Sequence, residues 1–234
     1  MTESATRTAP QPTAGRAPRA DGVEARARLL HTALRLLAEK GFANTSTREL
    51  ATAAGVNIAS ISYYFGDKAG LYRAAYTEPM NGSCGEVTVF DPGQVSLDTA
   101  LRMMLTQFVE PLKQGDLVQL CMRLHFREML EPTGLWAEEI DNGIRPAHGA
   151  LVQALCQHLQ LTEADDDIHR LAFSIVGLAI HMFVGRDIMQ LLQPQLQADD
   201  AAIDTYTERL VGYVLAMVAS EQTRRASPEK NTTV

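Results

Sequence analysis

The segment TSTRELATAAGVNIASISYYFGDKAGLY, residues 45–72, contains two short helical patterns separated by a glycine. Ser46 followed by Glu49 has the spacing of a capping box, so a helix is predicted to begin here and to end at Gly55. Asn57 is a suitable cap for the next helix, which runs to Phe65. Because so short a connection makes two helices cross steeply, the segment predicts a helix-turn-helix.

Helical patterns flank this segment on both sides. Leu30, Ala33, Leu34 and Leu37 recur at helical spacing before Gly41, which suits the left-handed position after a helix end. On the other side, Asp67 is predicted to cap a fourth helix that continues through Leu71, Tyr72 and Ala75.

The outer face of the hairpin is suited to nucleic acid. If the apolar residues face a core, small side chains remain at the start of the third helix, where they would allow close approach to base edges in a major groove. Tyrosines and a lysine follow, within reach of phosphates. The predicted DNA-binding residues are Thr47, Arg48, Asn57, Ile58, Ala59, Ser60, Ser62, Tyr63, Tyr64 and Lys68. The alternative is an alanine-rich surface hairpin with two half-buried tyrosines.

The charge distribution is consistent with a DNA-facing N-terminal end. Residues 1–78 contain 10 Lys/Arg and 7 Asp/Glu, a formal charge of +3, whereas residues 79–234 contain 11 and 21, a formal charge of −10. The chain's formal charge of −7 therefore belongs to its C-terminal two-thirds.

The segment STRELATAAGVNIASISYYFGDKAGLY closely resembles the DNA-binding segment of TetR-type transcriptional regulators. The matching positions are Thr47, Leu50, Ala51, Ala54, Gly55, Val56, Tyr63, Phe65 and Lys68. The resemblance implies an all-α homodimer with a three-helix helix-turn-helix head and a helical C-terminal domain that binds a small molecule and forms the dimer. We expect a disordered tail at 1–22, the head at 23–78, a linker loop at 79–94, the C-terminal domain at 95–221 and a flexible tail at 222–234. Within the C-terminal domain, helices are predicted over 95–113, 116–130, 136–160, 163–192 and 200–221.

A second motif narrows the resemblance. FREMLEPTG, residues 126–134, is similar to a stretch shared by the CecR-like subgroup, with Arg127, Glu128, Pro132 and Thr133 fitting the pattern. One departure concerns Pro79 and the glycine-rich residues after it, which interrupt the fourth helix where relatives continue it as a lever between head and body.

Two apolar stripes at helical spacing lie on the last two long helices and predict either a subunit core or a four-helix dimer interface. With the family resemblance, we expect them to form the dimer interface. The residues are Ile168, Leu171, Ile175, Leu178, Met182, Tyr206, Leu210, Tyr213 and Met217, to which Ile203 adds a further step in the second stripe.

Adaptable and aromatic side chains of the C-terminal domain are candidates for the ligand pocket, although each also fits an ordinary core. They are Met104, Phe108, Cys121, Leu124, His125, Glu128, Trp136 and His181. His125 and Glu128 lie three residues apart, a spacing that suits a metal, a polar ligand group or a salt-bridged pair. The acidic run Asp165 to Asp167 superficially resembles a calcium cluster, but a helix N-terminus explains it sufficiently.

We expect no enzyme, cofactor or metal site, since no nucleophile elbow, phosphate-binding loop or HExxH motif occurs. A signal sequence and an apolar run of about 18 residues are also missing, so a cytoplasmic protein without a membrane span is expected. The expected function is a repressor that binds a pseudo-palindromic operator in double-stranded DNA and leaves it when a small-molecule inducer binds. The alternative is an architectural or cell-division factor that uses the same head without a ligand.

Overall fold

The computed structural model describes residues 18–79 and 94–227, and all the regular structure in these ranges is helical. Four helices form the head: α1 (Pro18–Lys40), α2 (Thr47–Ala54), α3 (Ala59–Phe65) and α4 (Lys68–Thr77). The body contains α5 (Leu97–Val109), α6 (Asp116–Leu130), α7 (Leu135–Glu139), α8 (Arg145–His158), α9 (Asp166–Val184), α10 (Arg186–Leu192) and α11 (Asp200–Ala226). The predicted all-α class, with a helix-turn-helix head before a helical C-terminal domain, is confirmed.

The helix ends of the head follow the local signals in the sequence. The Ser46 hydroxyl accepts a hydrogen bond from the Glu49 amide at 3.1 Å, and an Asp67 carboxylate oxygen accepts one from the Gly70 amide at 2.8 Å. Gly55 ends α2 with φ 65°, a left-handed conformation that a side chain would strain. These caps fix the connection between α2 and α3.

Helix bounds in the body differ from the prediction at three places. The predicted helix over 136–160 consists of α7, a π-helical segment (Ile140–Ile144) and α8. The predicted helix over 163–192 is divided at Gly185 into α9 and α10. Finally, α11 continues to Ala226, because Arg225 near its end is anchored to Asp165 at 2.7 Å and to Glu221 at 2.6 Å.

The predicted tails and linker lie largely outside the described residues. Residues 1–17, 80–93 and 228–234 are not described, whereas residues 18–22 belong to α1 and 222–226 belong to α11. Two cysteines fall in the described part: Cys121 is buried, Cys156 is half-buried, and neither is in a disulfide.

The buried side chains form two clusters. One lies within the body and joins α5, α8, α9 and α11. The other begins in the head with Leu34, Leu50 and Leu71, and continues into the body through Cys121 and Leu124 of α6. The head is therefore packed directly onto α6.

In the described ranges, α9 alone is long and apolar enough to pass a length-and-composition test for a membrane span. Its buried residues Ile168, Ile175 and Met182 belong to the body cluster, as expected for a core helix.

Candidate DNA-binding surface and the junction behind it

The third helix presents the face that the sequence predicted. Ile61 is buried against the head, whereas Tyr63 on the opposite face is 82% exposed. The side-chain oxygen of Asn57 accepts a hydrogen bond from the Ala59 amide at 2.9 Å, which fixes the start of the helix. Of the ten predicted DNA-binding residues, six are exposed and four, Thr47, Ser60, Tyr64 and Lys68, are half-buried.

Three of the exposed residues, Ile58, Ala59 and Ser62, line a shallow depression of about 290 Å³ between α2, α3 and the start of α4, to which the half-buried Thr47 and Lys68 also contribute. Beside it, the rings of Tyr63 and Tyr64 meet edge to face with their centres 4.9 Å apart. The small residues around the depression would allow base edges of a DNA groove to come close. The tyrosines beside it could donate hydrogen bonds from their hydroxyl groups to phosphates.

Lys68 is placed differently from the expectation of a free phosphate-binding group. Its ammonium group donates a hydrogen bond to the carbonyl oxygen of Phe42 and stands 4.1 Å from the centre of the Phe42 ring. Partial burial lowers the pKa of Lys68. In this structure Lys68 joins α4 to the end of α1, and a phosphate would share it with Phe42.

Behind this surface, α6 of the body carries a fully buried carboxylate, that of Glu128. The Tyr72 hydroxyl of α4 donates to it at 2.5 Å, and the Thr133 amide and hydroxyl donate at 2.7 and 3.0 Å. The Trp136 amide adds a further bond at 3.3 Å. Burial raises the pKa of the Tyr72 hydroxyl, with the adjacent carboxylate as a second cause.

Arg127, the preceding residue, contacts the other head helix. Its guanidinium donates to the carbonyl oxygens of Ala38 at 3.3 Å and Glu39 at 3.1 Å, at the end of α1, and pairs with Glu131 at 3.1 Å. The last carbonyl groups of a helix lack intrahelical partners and carry a partial negative charge, so a cation is favoured there.

Two further contacts surround this junction. The Tyr76 ring of α4 stacks on the imidazole of His125, with centres 3.9 Å apart. Burial lowers the pKa of His125, whose Nδ1 atom lies 3.0 Å from the carbonyl oxygen of Cys121. An exposed ion pair joins Arg73 to Glu138 at 3.2 Å.

Several predicted ligand residues lie at this junction or in the body core, and their role in ligand binding stays a prediction. Cys121, Leu124, His125 and Glu128 lie on α6 where it packs against the head, and the Trp136 amide binds Glu128. Met104 and Phe108 belong to the body core, and His181 is exposed near the end of α9. Among the described residues, no group of three or more metal-ligating side chains is present, and Asp165 caps α9 while pairing with Arg225.

An open cleft of about 660 Å³ lies between the end of α1 and the outer side of α6. Leu120, Phe126 and Phe183 provide apolar lining, and Arg123 is one of several charged residues around it. None of the predicted ligand residues lines this cleft.

The predicted dimer residues lie mostly in the core of one subunit, and their role in a dimer stays a prediction. Ile168, Leu171, Ile175, Met182 and Leu210 are buried within one subunit, and Leu178, Tyr206 and Met217 are partly buried against the same core. A side chain already buried in its own subunit has no surface left to bury against a partner. Tyr213, 56% exposed, is the exception among the predicted residues.

Comparison with known proteins agrees with this architecture. Residues 29–75 match the family model of bacterial regulatory proteins of the tetR family, and residues 97–219 match the C-terminal domain of the HTH-type transcriptional dual regulator CecR. The chain belongs to the TetR family of DNA-binding transcriptional regulators. Within that family it is of the CecR type, since the C-terminal match spans more than half of its 234 residues.

Individual relatives share only part of the sequence with this chain. The chain is 26% identical over 181 residues to the dual regulator CecR of Shigella flexneri, covering 73% of this chain and 80% of that one. It is 42% identical over 60 residues to the probable regulator YttP of Bacillus subtilis, covering 26% and 29% of the two chains.

Two solved structures share the fold. HlyIIR, a hemolysin II transcriptional regulator, superimposes with a TM-score of 0.53 at 20% identity, over 82% of this chain and 97% of that one. Apo AibR gives 0.53 at 22% identity, over 81% and 97%.

The sequence identified Arg127, Glu128 and Thr133 as a motif but assigned Glu128 to a ligand pocket. Tyr72, which donates to Glu128, and Tyr76, which stacks on His125, are not among the predicted functional residues. The available signal was the coincidence of that motif with tyrosines four residues apart on α4.

Proposed function

We propose that this protein is a cytoplasmic, homodimeric repressor that binds a pseudo-palindromic operator and leaves it when a small molecule binds. The observation that carries the proposal is the exposed face of α3, held by capped ends on the α2–α3 hairpin. Two such helices would enter successive major grooves about one helical turn, roughly 34 Å, apart.

The proposed dimer uses the last two long helices, through their outward faces rather than their buried stripes. Phe173 and Val184 of α9 are 64% and 52% exposed, and Tyr213 of α11 is 56% exposed. Gly177 and Gly212 lie among them and would let partner helices approach closely. These faces support a four-helix interface across a two-fold axis.

The ligand is proposed to be a small amphipathic molecule in the cleft between α1 and α6. The volume of about 660 Å³ is within the range of small-molecule sites, and apolar residues adjoin the exposed Arg123. A molecule here would touch both the head and the body, so its binding energy would differ between head positions.

The proposed operator is tested by selecting DNA from a random pool with the full chain. A two-fold symmetric consensus is expected, and Tyr63→Ala should lower affinity for it at unchanged stability, because Tyr63 is 82% exposed. Exposed His158→Ala on α8 is the matched control. Failure of the wild-type chain to enrich any sequence would contradict the proposal.

Repression and ligand release need separate measurements. A reporter placed behind the selected operator should be expressed less when the chain is present. A compound screen should find molecules that release the DNA, and Arg123→Ala or Leu120→Trp should weaken that release without changing DNA affinity.

The second candidate, a DNA-binding factor without a ligand, is favoured by one observation. Four of the eight residues predicted to line a ligand pocket, Met104, Phe108, Cys121 and Leu124, are packed in the two clusters of buried side chains. Such a factor would hold its DNA with an affinity that no compound in the screen changes.

A further inference from the structure

We propose that Arg127 and Glu128 are positioning residues that hold the DNA-binding head against the body and thereby fix the half-site spacing that the dimer accepts. This inference rests on the proposed homodimer and deepens it, because it assigns the control of head position to two successive residues of α6.

Most of the hydrogen bonds that hold the Glu128 carboxylate in place come from the body itself. Thr133 and Trp136, which donate to it, follow α6 in the same domain. Among the described residues, Tyr72 is the donor that comes from the head, at 2.5 Å. A fully buried carboxylate that loses a donor is destabilised, because the cost of removing it from water is no longer offset, so the docked position is favoured over intermediate ones.

Arg127 fixes a second point on the head. Its side chain reaches the Ala38 and Glu39 carbonyl oxygens at the end of α1, whereas Glu128 reaches α4. Successive residues of a helix point about 100° apart, which lets α6 contact both head helices at one level. A rotation of α6 would therefore disturb both contacts together.

The turn after α1 is shaped for this approach. Gly41 has φ 81°, and a Cβ atom built on it would lie 2.9 Å from Nη1 of Arg127 and 2.9 Å from a Glu131 carboxylate oxygen. A side chain at this position would force the Nη1 end of Arg127 and the Glu131 carboxylate, which bond each other, to shift.

Contacts to two different head helices restrict the orientation of the head on the body, and this orientation sets where α3 lies relative to its copy in the proposed dimer. Neighbouring base pairs are about 3.4 Å apart along DNA. A head displaced by a few ångströms would thus prefer an operator whose half-sites are separated by one base pair more or fewer.

The experiment measures affinity for a series of operators whose central spacer is lengthened or shortened by single base pairs, and for an isolated half-site. Tyr72→Phe removes the donor from the head, and Glu128→Gln removes the charge. Thr77→Val is the matched control, because it removes an exposed hydroxyl from the same helix, where that hydroxyl bonds only the α4 backbone among the described residues.

We expect the wild type and Thr77→Val to share one preferred spacing. Tyr72→Phe should lose about tenfold in affinity at that spacing and bind the altered spacers relatively better. Affinity for the isolated half-site should be unchanged, which a partly unfolded protein would not show.

Two outcomes would overturn the inference. If Tyr72→Phe and the wild type showed the same dependence of affinity on spacer length, the proposed positioning role would be wrong, whereas the proposed function would still hold. If Tyr72→Phe lost affinity by the same factor for the half-site and for every spacer length, the Tyr72–Glu128 hydrogen bond would contribute to folding only. If the wild-type chain binds no operator, the proposed function fails and this inference fails with it.

Discussion

The ammonium group of Lys68 donates a hydrogen bond to the carbonyl oxygen of Phe42 and stands 4.1 Å from the centre of its ring. The contact joins the first turn of α4 to the turn after α1. A lysine that the sequence assigns to DNA phosphate is therefore also part of the packing of the head.

Replacement of Lys68 should consequently affect folding. Lys68→Met removes a charge-assisted hydrogen bond and a cation–π contact, and should lower the free energy of unfolding by about 1–2 kcal/mol in urea titrations. Lys40→Met, which removes an exposed pair with Glu49, should cost much less. Unchanged stability together with a DNA salt slope reduced by about one charge would return Lys68 to phosphate binding.

Arg48, exposed in the first turn of α2, is predicted to read a base. Arg48→Ala should relax the preference at one base pair, at a cost of about 1–3 kcal/mol if a guanine is read. Affinity across a randomised operator library is the measurement. Uniform weakening of every sequence would indicate a phosphate contact instead.

Gly41 and Gly55 provide a test of the contact between α6 and the head. Both have positive φ, 81° and 65°, but a Cβ atom would meet Arg127 and Glu131 at Gly41 and nothing within 4 Å at Gly55. Gly55→Ala should cost about 1–2 kcal/mol of strain, and Gly41→Ala about 1 kcal/mol more, because the bonded ends of Arg127 and Glu131 must shift.

A double-mutant cycle separates these contributions. In an Arg127→Ala background, the extra cost of Gly41→Ala should largely disappear. If Gly41→Ala lowered the free energy of unfolding equally in both backgrounds, the Arg127 side chain would not be responsible for the extra cost at Gly41.

The buried His125 should make stability depend on pH. Its pKa is lowered by burial, so as pH falls the unfolded chain takes up the proton first, near its ordinary value of about 6.5. The contribution is complete above that value and is lost as pH falls toward the lower folded-state pKa. His148, with a pKa lowered by burial and by His169, acts in the same direction.

Urea titrations at several pH values between neutral and mildly acidic check this prediction. His125→Phe keeps a ring against Tyr76 and should show a smaller loss of stability on acidification than the wild type. Exposed His158→Phe is the control and should behave as the wild type. Identical pH profiles for His125→Phe and the wild type would contradict the prediction.

The outward faces of α9 and α11 are tested through the oligomeric state. Tyr213→Glu and Phe173→Glu place a charge on residues that are 56% and 64% exposed in one subunit. Both should convert the proposed dimer into a folded monomer, because a charge buried unpaired at an interface is costly. Sedimentation velocity and circular dichroism measure this, with exposed Gln153→Glu on α8 as the control. A variant that remains dimeric would move the interface elsewhere.

Much of the head could be predicted because its determinants are local. The capping roles of Ser46 and Asp67 and the left-handed turn at Gly55 each depend on residues within a few positions of one another. The exposed face of α3 then follows from the burial of Ile61. The role of the predicted residues in DNA binding remains a prediction.

Partner assignment in the body was less predictable. An apolar stripe at helical spacing indicates that one face of a helix is buried. It does not indicate whether residues of the same subunit or of a second subunit cover that face. The stripes that contain Ile168, Ile175 and Leu210 therefore fit both a dimer interface and a subunit core, and in one subunit these side chains are buried in the core. Likewise, the sequence predicts Glu128 as a ligand residue but does not show that Tyr72 of α4 donates to its carboxylate.

The sequence by itself determined the helical class, the helix-turn-helix and the family, because caps, glycine positions and helical periodicity act over a few residues. The tertiary structure decided which side chains face each other across distant segments. Tyr72 and Glu128 are 56 positions apart in the sequence, much farther than a helix cap or a helical repeat extends. Packing of α6 against the head brings the Tyr72 hydroxyl to 2.5 Å from the Glu128 carboxylate. Such pairs depend on the three-dimensional packing of whole helices, which short-range patterns do not specify.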